Sequence, residues 1–121
     1  MSVQDIGSRS GTDELLSGAR FQEVLRGISR YRSCVPVGDP LDVAVKKILD
    51  NPAFTQSRLL ARMLVALTYQ QGEFRRAEAA TFDSDTLTMV ITLMDVHAAG
   101  TSSREQWVRA TEEAKAALLA A

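Results

Sequence analysis

One apolar stretch constrains the fold of this chain more than any other feature of its sequence. Residues 55–71, TQSRLLARMLVALTYQQ, place apolar side chains around most of a helical circumference and leave only a narrow polar stripe. A helix that is apolar on nearly all sides has to be surrounded by other elements. We therefore predict an all-α fold, an irregular bundle of five or six helices around a central helix at about 55–71.

Helices are also predicted before the central one. An amphipathic helix over 19–32 is indicated by the helical spacing of its apolar residues, which are Phe21, Val24, Leu25, Ile28 and Tyr31. A second helix, from 40 to about 50, is indicated by Asp39 as N-cap and Pro40 at the first helical position. We expect Thr55 to cap the central helix and Gly72 to end it.

The second half of the chain carries two further helix patterns. Asp83 or Ser84 is expected to cap a helix that ends at Gly100. The last helix, about 103–119, should begin with a capping box formed by Ser102 with Glu105 or by Ser103 with Gln106, and Trp107 should face the core. Residues 73–83 fit either a short helix or an irregular corner held by Phe74 and Phe82. No segment is predicted to be a strand.

Composition sets the domain organisation and the class of protein. We predict a flexible tail over 1–11, which is rich in glycine and serine, and a single helical domain over 12–121. The net charge of −1 means that any nucleic-acid role would need a local basic patch. The single cysteine and single histidine exclude a disulfide framework and a Cys/His zinc pattern, and no metal or cofactor is predicted.

No signal peptide or membrane span is recognisable in the sequence. The start of the chain is polar, and no apolar run reaches the length of about 18 residues that a span needs. We expect a soluble, cytoplasmic protein without a membrane partner.

The candidate binding residues lie on and just beyond the central helix. Arg58, Arg62 and Tyr69 occupy its polar stripe, and Arg75 and Arg76 follow it. Such arginines could bind a carboxylate on a partner protein or a phosphate of nucleic acid. The alternative is a solvated helix edge, where arginines pair with carboxylates of the same fold. The first-turn position favours the interface for Arg58, and the mid-helix position favours the edge for Arg62.

His97 and Cys34 are the candidates for catalysis. His97 falls on the apolar side of its helix, which favours a half-buried imidazole bonded to a backbone carbonyl. Asp95, two positions earlier, points elsewhere and cannot orient that ring. Cys34 has no recognisable base or oxyanion site and is predicted to be a passive thiol.

The middle of the chain resembles a known family. The similar segments are TQSRLLARMLVAL, GEF, TFD, DTLTMVITLM and a terminal helix, within roughly residues 42–118. They resemble a family of small uncharacterised proteins found on bacterial plasmids, conjugative elements and prophages. The family has a glycine-rich segment before its Gln-Ser-Arg triplet, where this chain has NPAFT. The resemblance implies that Gln56, Ser57 and Arg58 are the triplet and Asp83 the acidic cap, and it implies a genomic setting rather than an activity.

These observations favour a binding protein over an enzyme. We expect a small non-catalytic helical module that binds another protein, with a homodimer as a further arrangement. By analogy, it would be an accessory or host-directed inhibitory protein of a bacterial mobile element, for example a blocker of CRISPR machinery. One alternative is a nucleic-acid-binding accessory factor that uses the four candidate arginines, and another is an uncharacterised enzyme centred on His97.

Overall fold

The computed structural model describes residues 14–28 and 38–121. In chain order the elements are β1 (Leu15–Ser17), α1 (Gly18–Gly27), α2 (Pro40–Asp50), α3 (Thr55–Tyr69), β2 (Glu73–Arg75), a 3-10 helix (Arg76–Thr81), α4 (Ser84–Ala99) and α5 (Arg104–Ala120). Within these ranges the protein is a helical bundle with one two-stranded sheet, so the all-α prediction is confirmed. The predictions for the tail, for Tyr31 and for Cys34 lie outside the described residues.

The central position of α3 is confirmed. This helix packs against the four other α-helices. Its buried residues cover most of its circumference and include Leu60 and Leu64, which are almost completely enclosed. In α4, eight of the nine residues from Thr86 to Met94 are buried, so the core has two inner helices rather than one.

Most helix starts follow the predicted capping signals. The Asp39 carboxylate accepts a hydrogen bond from the Leu41 N–H at 3.0 Å, and Asp83 accepts one from the Thr86 N–H at 2.7 Å. At the start of α5 the capping box is the one between Ser103 and Gln106. Side-chain acceptors at these positions satisfy N–H groups that have no partner inside the helix.

Both ends of α3 differ from the prediction. Phe54 is the N-cap residue and makes no side-chain capping bond, so Thr55 does not cap this helix. The start of α3 is instead held by two long-range hydrogen bonds of the Gln56 side chain, which donates to Thr81 O at 2.7 Å and accepts from the Asp83 N–H at 2.9 Å. The helix stops at Tyr69, since Gln70 already has a left-handed backbone with φ of 54°. Gly72 therefore follows the stop rather than supplying it.

The prediction that no segment forms a strand is wrong. Residues 15–17 pair antiparallel with residues 73–75, with Leu16 opposite Phe74. Both of these side chains are buried, and the Phe74 ring stacks on Phe21 with centroids 4.4 Å apart. Strands of three residues are too short to show a period in the sequence. Residues 73–83 combine the two predicted forms, a short helix and a corner held by buried Phe74 and Phe82.

The first helix was predicted over 19–32, of which residues 29–32 lie outside the described ranges. It begins at Gly18, with the Ser17 hydroxyl accepting from the Arg20 N–H at 3.2 Å, and it ends at Gly27. Phe21 and Leu25 face the core as predicted.

Candidate functional site

Three of the predicted binding residues lie together, at the junction of α3, β2 and the 3-10 helix. Arg62 Nη1 donates to the carboxylate of Glu78, and Arg62 Nη2 donates to the backbone carbonyl of Glu73 at 2.8 Å. The guanidinium also lies over the Phe74 ring, 4.6 Å from its centroid. Arg75 and Arg76 follow within and just after β2. Arg62 therefore connects the middle of α3 to β2 and to the 3-10 helix.

Arg62 and Glu78 together cap the outer edge of β2. Arg76 N–H donates to Glu14 O at 3.0 Å, so in an antiparallel ladder the backbone groups of Glu73 and Arg75 point away from β1. The Glu73 carbonyl accepts from Arg62, and the Arg75 N–H donates to Glu78 Oε1 at 2.8 Å. The two side chains thus occupy the place where a further strand would pair. Covering an edge in this way prevents unwanted strand pairing.

The charges of this cluster are balanced. Arg62, Arg75 and Arg76 lie among three carboxylates, those of Glu14, Glu73 and Glu78, and Arg76 pairs with Glu14 at 3.4 Å. Burial raises the pKa of Glu78, but hydrogen bonds from Arg62 and from the Arg75 N–H, together with both positive charges, lower that pKa overall. Glu78 is therefore ionised at neutral pH, and the cluster offers no excess positive charge to a phosphate.

Tyr69 lies apart from the arginine cluster, at the seam between α3 and α5. Its hydroxyl donates to Glu112 Oε2 at 2.6 Å, and its ring lies 5.9 Å from the Arg104 guanidinium and 5.8 Å from the Lys115 ammonium. The hydrogen bond to Glu112 raises the pKa of Tyr69, and the same bond lowers the pKa of Glu112. Tyr69 therefore links two helices of this protein.

Arg58 is placed differently from the other candidates. It is exposed in the first turn of α3, and within residues 14–28 and 38–121 its guanidinium makes no hydrogen bond or ion pair. The backbone N–H of Arg58 donates to the carbonyl of Phe54, a residue that is 56% exposed. Leu49, in the last turn of α2, is 50% exposed. We call these three residues, Leu49, Phe54 and Arg58, the α2–α3 corner.

His97 has no catalytic partner in the part of the chain that the structure describes. Its half-buried ring meets Trp107 edge to face, with centroids 5.1 Å apart, and the expected bond to a backbone carbonyl is not formed there. Trp107 is buried, as predicted. Asp95 is turned away as expected and binds Arg26 of α1 at 2.9 Å.

His97 also lines a cavity that the sequence did not indicate. The cavity has a volume of about 450 Å³ and lies between the start of α1, the end of α3 and α4. Besides His97, its polar lining includes the side chains of Gln22, Gln70 and Gln71, which come from two distant segments. The only signal in the sequence near this cavity is the Gln-Gln-Gly run after α3, which indicates a turn.

The described residues contain no group of three or more His, Cys, Asp or Glu side chains that could hold a metal ion. None of their helices is both long and apolar enough to cross a bilayer.

Comparison of the chain with protein-family models, with curated proteins and with solved structures gives no match.

Proposed function

We propose that this protein is a non-catalytic helical module that binds another protein through the α2–α3 corner, with Arg58 as the central cation. It would act in the bacterial cytoplasm as an accessory or host-directed inhibitory protein of a mobile element, for example as a blocker of CRISPR machinery. The sequence resemblance over roughly residues 42–118 supports this setting, and the corner itself supports protein binding.

One observation carries the proposal: Arg58 is exposed and without a partner in the described ranges, and it lies one helical turn after the exposed Phe54. Arginine and aromatic residues contribute most to the energy of protein interfaces. A guanidinium that has no internal partner can form a two-pronged bond to a carboxylate without first breaking an ion pair. The exposed Phe54 supplies apolar surface of the kind that such a contact needs beside it, and Leu49 is exposed at the end of the preceding helix.

The remaining arginine candidates support a protein partner over nucleic acid. Arg62 and Arg76 already bind carboxylates of the same chain, and Arg75 lies close to Glu78. Affinity for nucleic acid depends on phosphate contacts from unneutralised cations, and a balanced cluster provides few of them.

The test is affinity capture from a host lysate with two charge reversals that change the net charge equally. Arg58→Glu should abolish capture of the partner and leave the melting temperature unchanged, because an exposed side chain without a partner contributes little to folding. Arg109→Glu, on an exposed position of α5, should keep the partner. Capture that survives Arg58→Glu would exclude the α2–α3 corner as the binding site.

Nucleic-acid binding is tested on the wild-type protein. Retardation of DNA or RNA that weakens steeply as salt rises would contradict the proposal and favour the nucleic-acid-binding factor.

A further inference from the structure

The cavity between α1, α3 and α4 is lined by side chains whose hydrogen-bonding groups are unused. Four polar side chains of its wall come from three places: Gln22 of α1, Gln70 and Gln71 after α3, and His97 of α4. Within residues 14–28 and 38–121 none of these four side chains donates or accepts a hydrogen bond. Donors and acceptors that converge on one cavity in this way are typical of a small-molecule site.

The other glutamines of the described residues behave differently. Gln56 binds the backbone at Thr81 and Asp83, and Gln106 forms the capping box with Ser103. Both side chains therefore use their amides to hold the fold together. The three glutamines without such a role all line the same cavity. Their amides are available to a ligand and have no structural bond to give up.

The composition of the wall selects the kind of ligand. No Asp, Glu, Lys or Arg is among the lining residues, so a charged ligand would lose hydration without gaining an ion pair from any of these residue types. Ala19, Ala66 and Leu67 add apolar surface. A glutamine side chain has a donor and an acceptor side by side, so it pairs best with a ligand edge that has the complementary donor and acceptor.

We propose that this cavity binds a small uncharged molecule with an amide-type edge, in which a hydrogen-bond donor lies next to an acceptor. Primary carboxamides and nucleobases share this chemistry. The glutamine amides bind the edge, and Ala66 and Leu67 contact the apolar remainder of the molecule. The volume of about 450 Å³ lies within the range of roughly 300 to 1,000 Å³ that small-molecule sites occupy.

The proposed site is separate from the proposed protein-binding surface. Gln70 and Gln71 follow the last turn of α3, whereas Arg58 of the α2–α3 corner lies in its first turn. A helix rises about 1.5 Å per residue, so the two sites are roughly 15 to 20 Å apart. Loss of small-molecule binding would leave capture of a protein partner untouched, and the reverse also holds.

NMR titration of the full chain tests the proposal with two matched pairs of probes. Nicotinamide and adenosine are uncharged and have the amide-type edge, whereas nicotinate and adenosine 5′-monophosphate are their charged counterparts. We expect the side-chain NH₂ signals of Gln22, Gln70 and Gln71 to shift saturably with at least one uncharged probe, with Kd of about 1 mM or tighter. The charged counterpart should bind roughly tenfold more weakly or worse.

The pattern of binding also identifies the edge. Saturation by nicotinamide alone supports a carboxamide ligand, saturation by adenosine alone supports a nucleobase, and saturation by both supports the shared edge. Absence of saturable shifts with both uncharged probes overturns the proposal. Equal or tighter binding of the charged member of the responding pair also overturns it.

A pair of variants in α1 tests whether the amides bind the probe. Gln22→Met removes an amide from the wall and keeps a side chain of similar length, so it should raise Kd roughly tenfold. Glu23→Met, at the next position, is the control, because Glu23 is exposed and does not line the cavity. Circular dichroism of both variants should match wild type. A folded Gln22→Met with the wild-type Kd, or equal weakening by the two variants, overturns the proposal.

Discussion

Arg58 and Arg62 are the same residue type on the same stripe of one helix, yet their surroundings differ. Arg62 contacts a carboxylate, a backbone carbonyl and an aromatic face, and these contacts come from β2 and the 3-10 helix. Arg58 lies one turn earlier, where the described chain offers it no acceptor. Position along the helix was enough to predict this difference. The partner of Arg62 was not predictable, because Glu78 lies in a corner whose sequence has no regular period.

The two charge-reversal variants should therefore differ in their free energy of unfolding. Arg62→Glu places a carboxylate against Glu78 and exposes the edge of β2. We expect it to lower the free energy of unfolding by about 1 to 2 kcal/mol, a moderate value because the Arg62 side chain is 42% exposed. Arg58→Glu should change it by less than about 0.5 kcal/mol. Urea titration of both variants measures the difference, and equal losses would show that the cap on β2 does not contribute to stability.

At the scale of elements, long helices were predictable and the short elements between them were not. The starts of α2, α4 and α5 follow from capping residues next to them in sequence. The sheet depends on contacts between segments far apart in sequence, such as Leu16 with Phe74, and no local pattern encodes them. The start of α3 is similar, because the Gln56 side chain binds the chain at Thr81 and Asp83 instead of relying on a local cap.

The capped edge of β2 should make part of the stability depend on pH. The folded-state pKa of Glu78 lies below its ordinary value of 4.5, so the ionised carboxylate stabilises the fold above that value. This contribution is lost as the pH falls through the lowered pKa. Glu78→Gln should cost about 1 kcal/mol or less at neutral pH, and the difference from wild type should shrink as the pH falls from neutral to below 4.5. A difference that stays constant over this range would contradict the assignment.

At the scale of the whole molecule, α3 and α4 are the two helices that form most of the hydrophobic core. Their inner surfaces carry most of the large enclosed side chains, including Leu64 and Leu93. The sequence indicated this architecture through the continuous apolar surface of α3. It did not indicate which helices would pack on which sides, because packing order depends on the shapes of all the faces together.

Truncation inside α3 should be far more costly than truncation on the surface. Leu64 is fully buried, so Leu64→Ala should lower the free energy of unfolding by about 2 to 5 kcal/mol. Glu113→Ala, on the exposed side of α5, should lower it by about 0.5 kcal/mol or less. Denaturant unfolding of the two variants checks this, and similar losses would mean that the buried face of the bundle is wrongly assigned.

The pairing of β1 with β2 also has a consequence for the order of folding. It ties the start of the described chain to a point beyond α3, and closing so long a loop has a high entropic cost before any contact compensates it. We therefore expect the sheet to form after the transition state, once α2 and α3 have packed. Leu16→Ala should then raise the unfolding rate in stopped-flow experiments and leave the folding rate close to that of wild type. A slower folding rate would instead place the sheet in the folding nucleus.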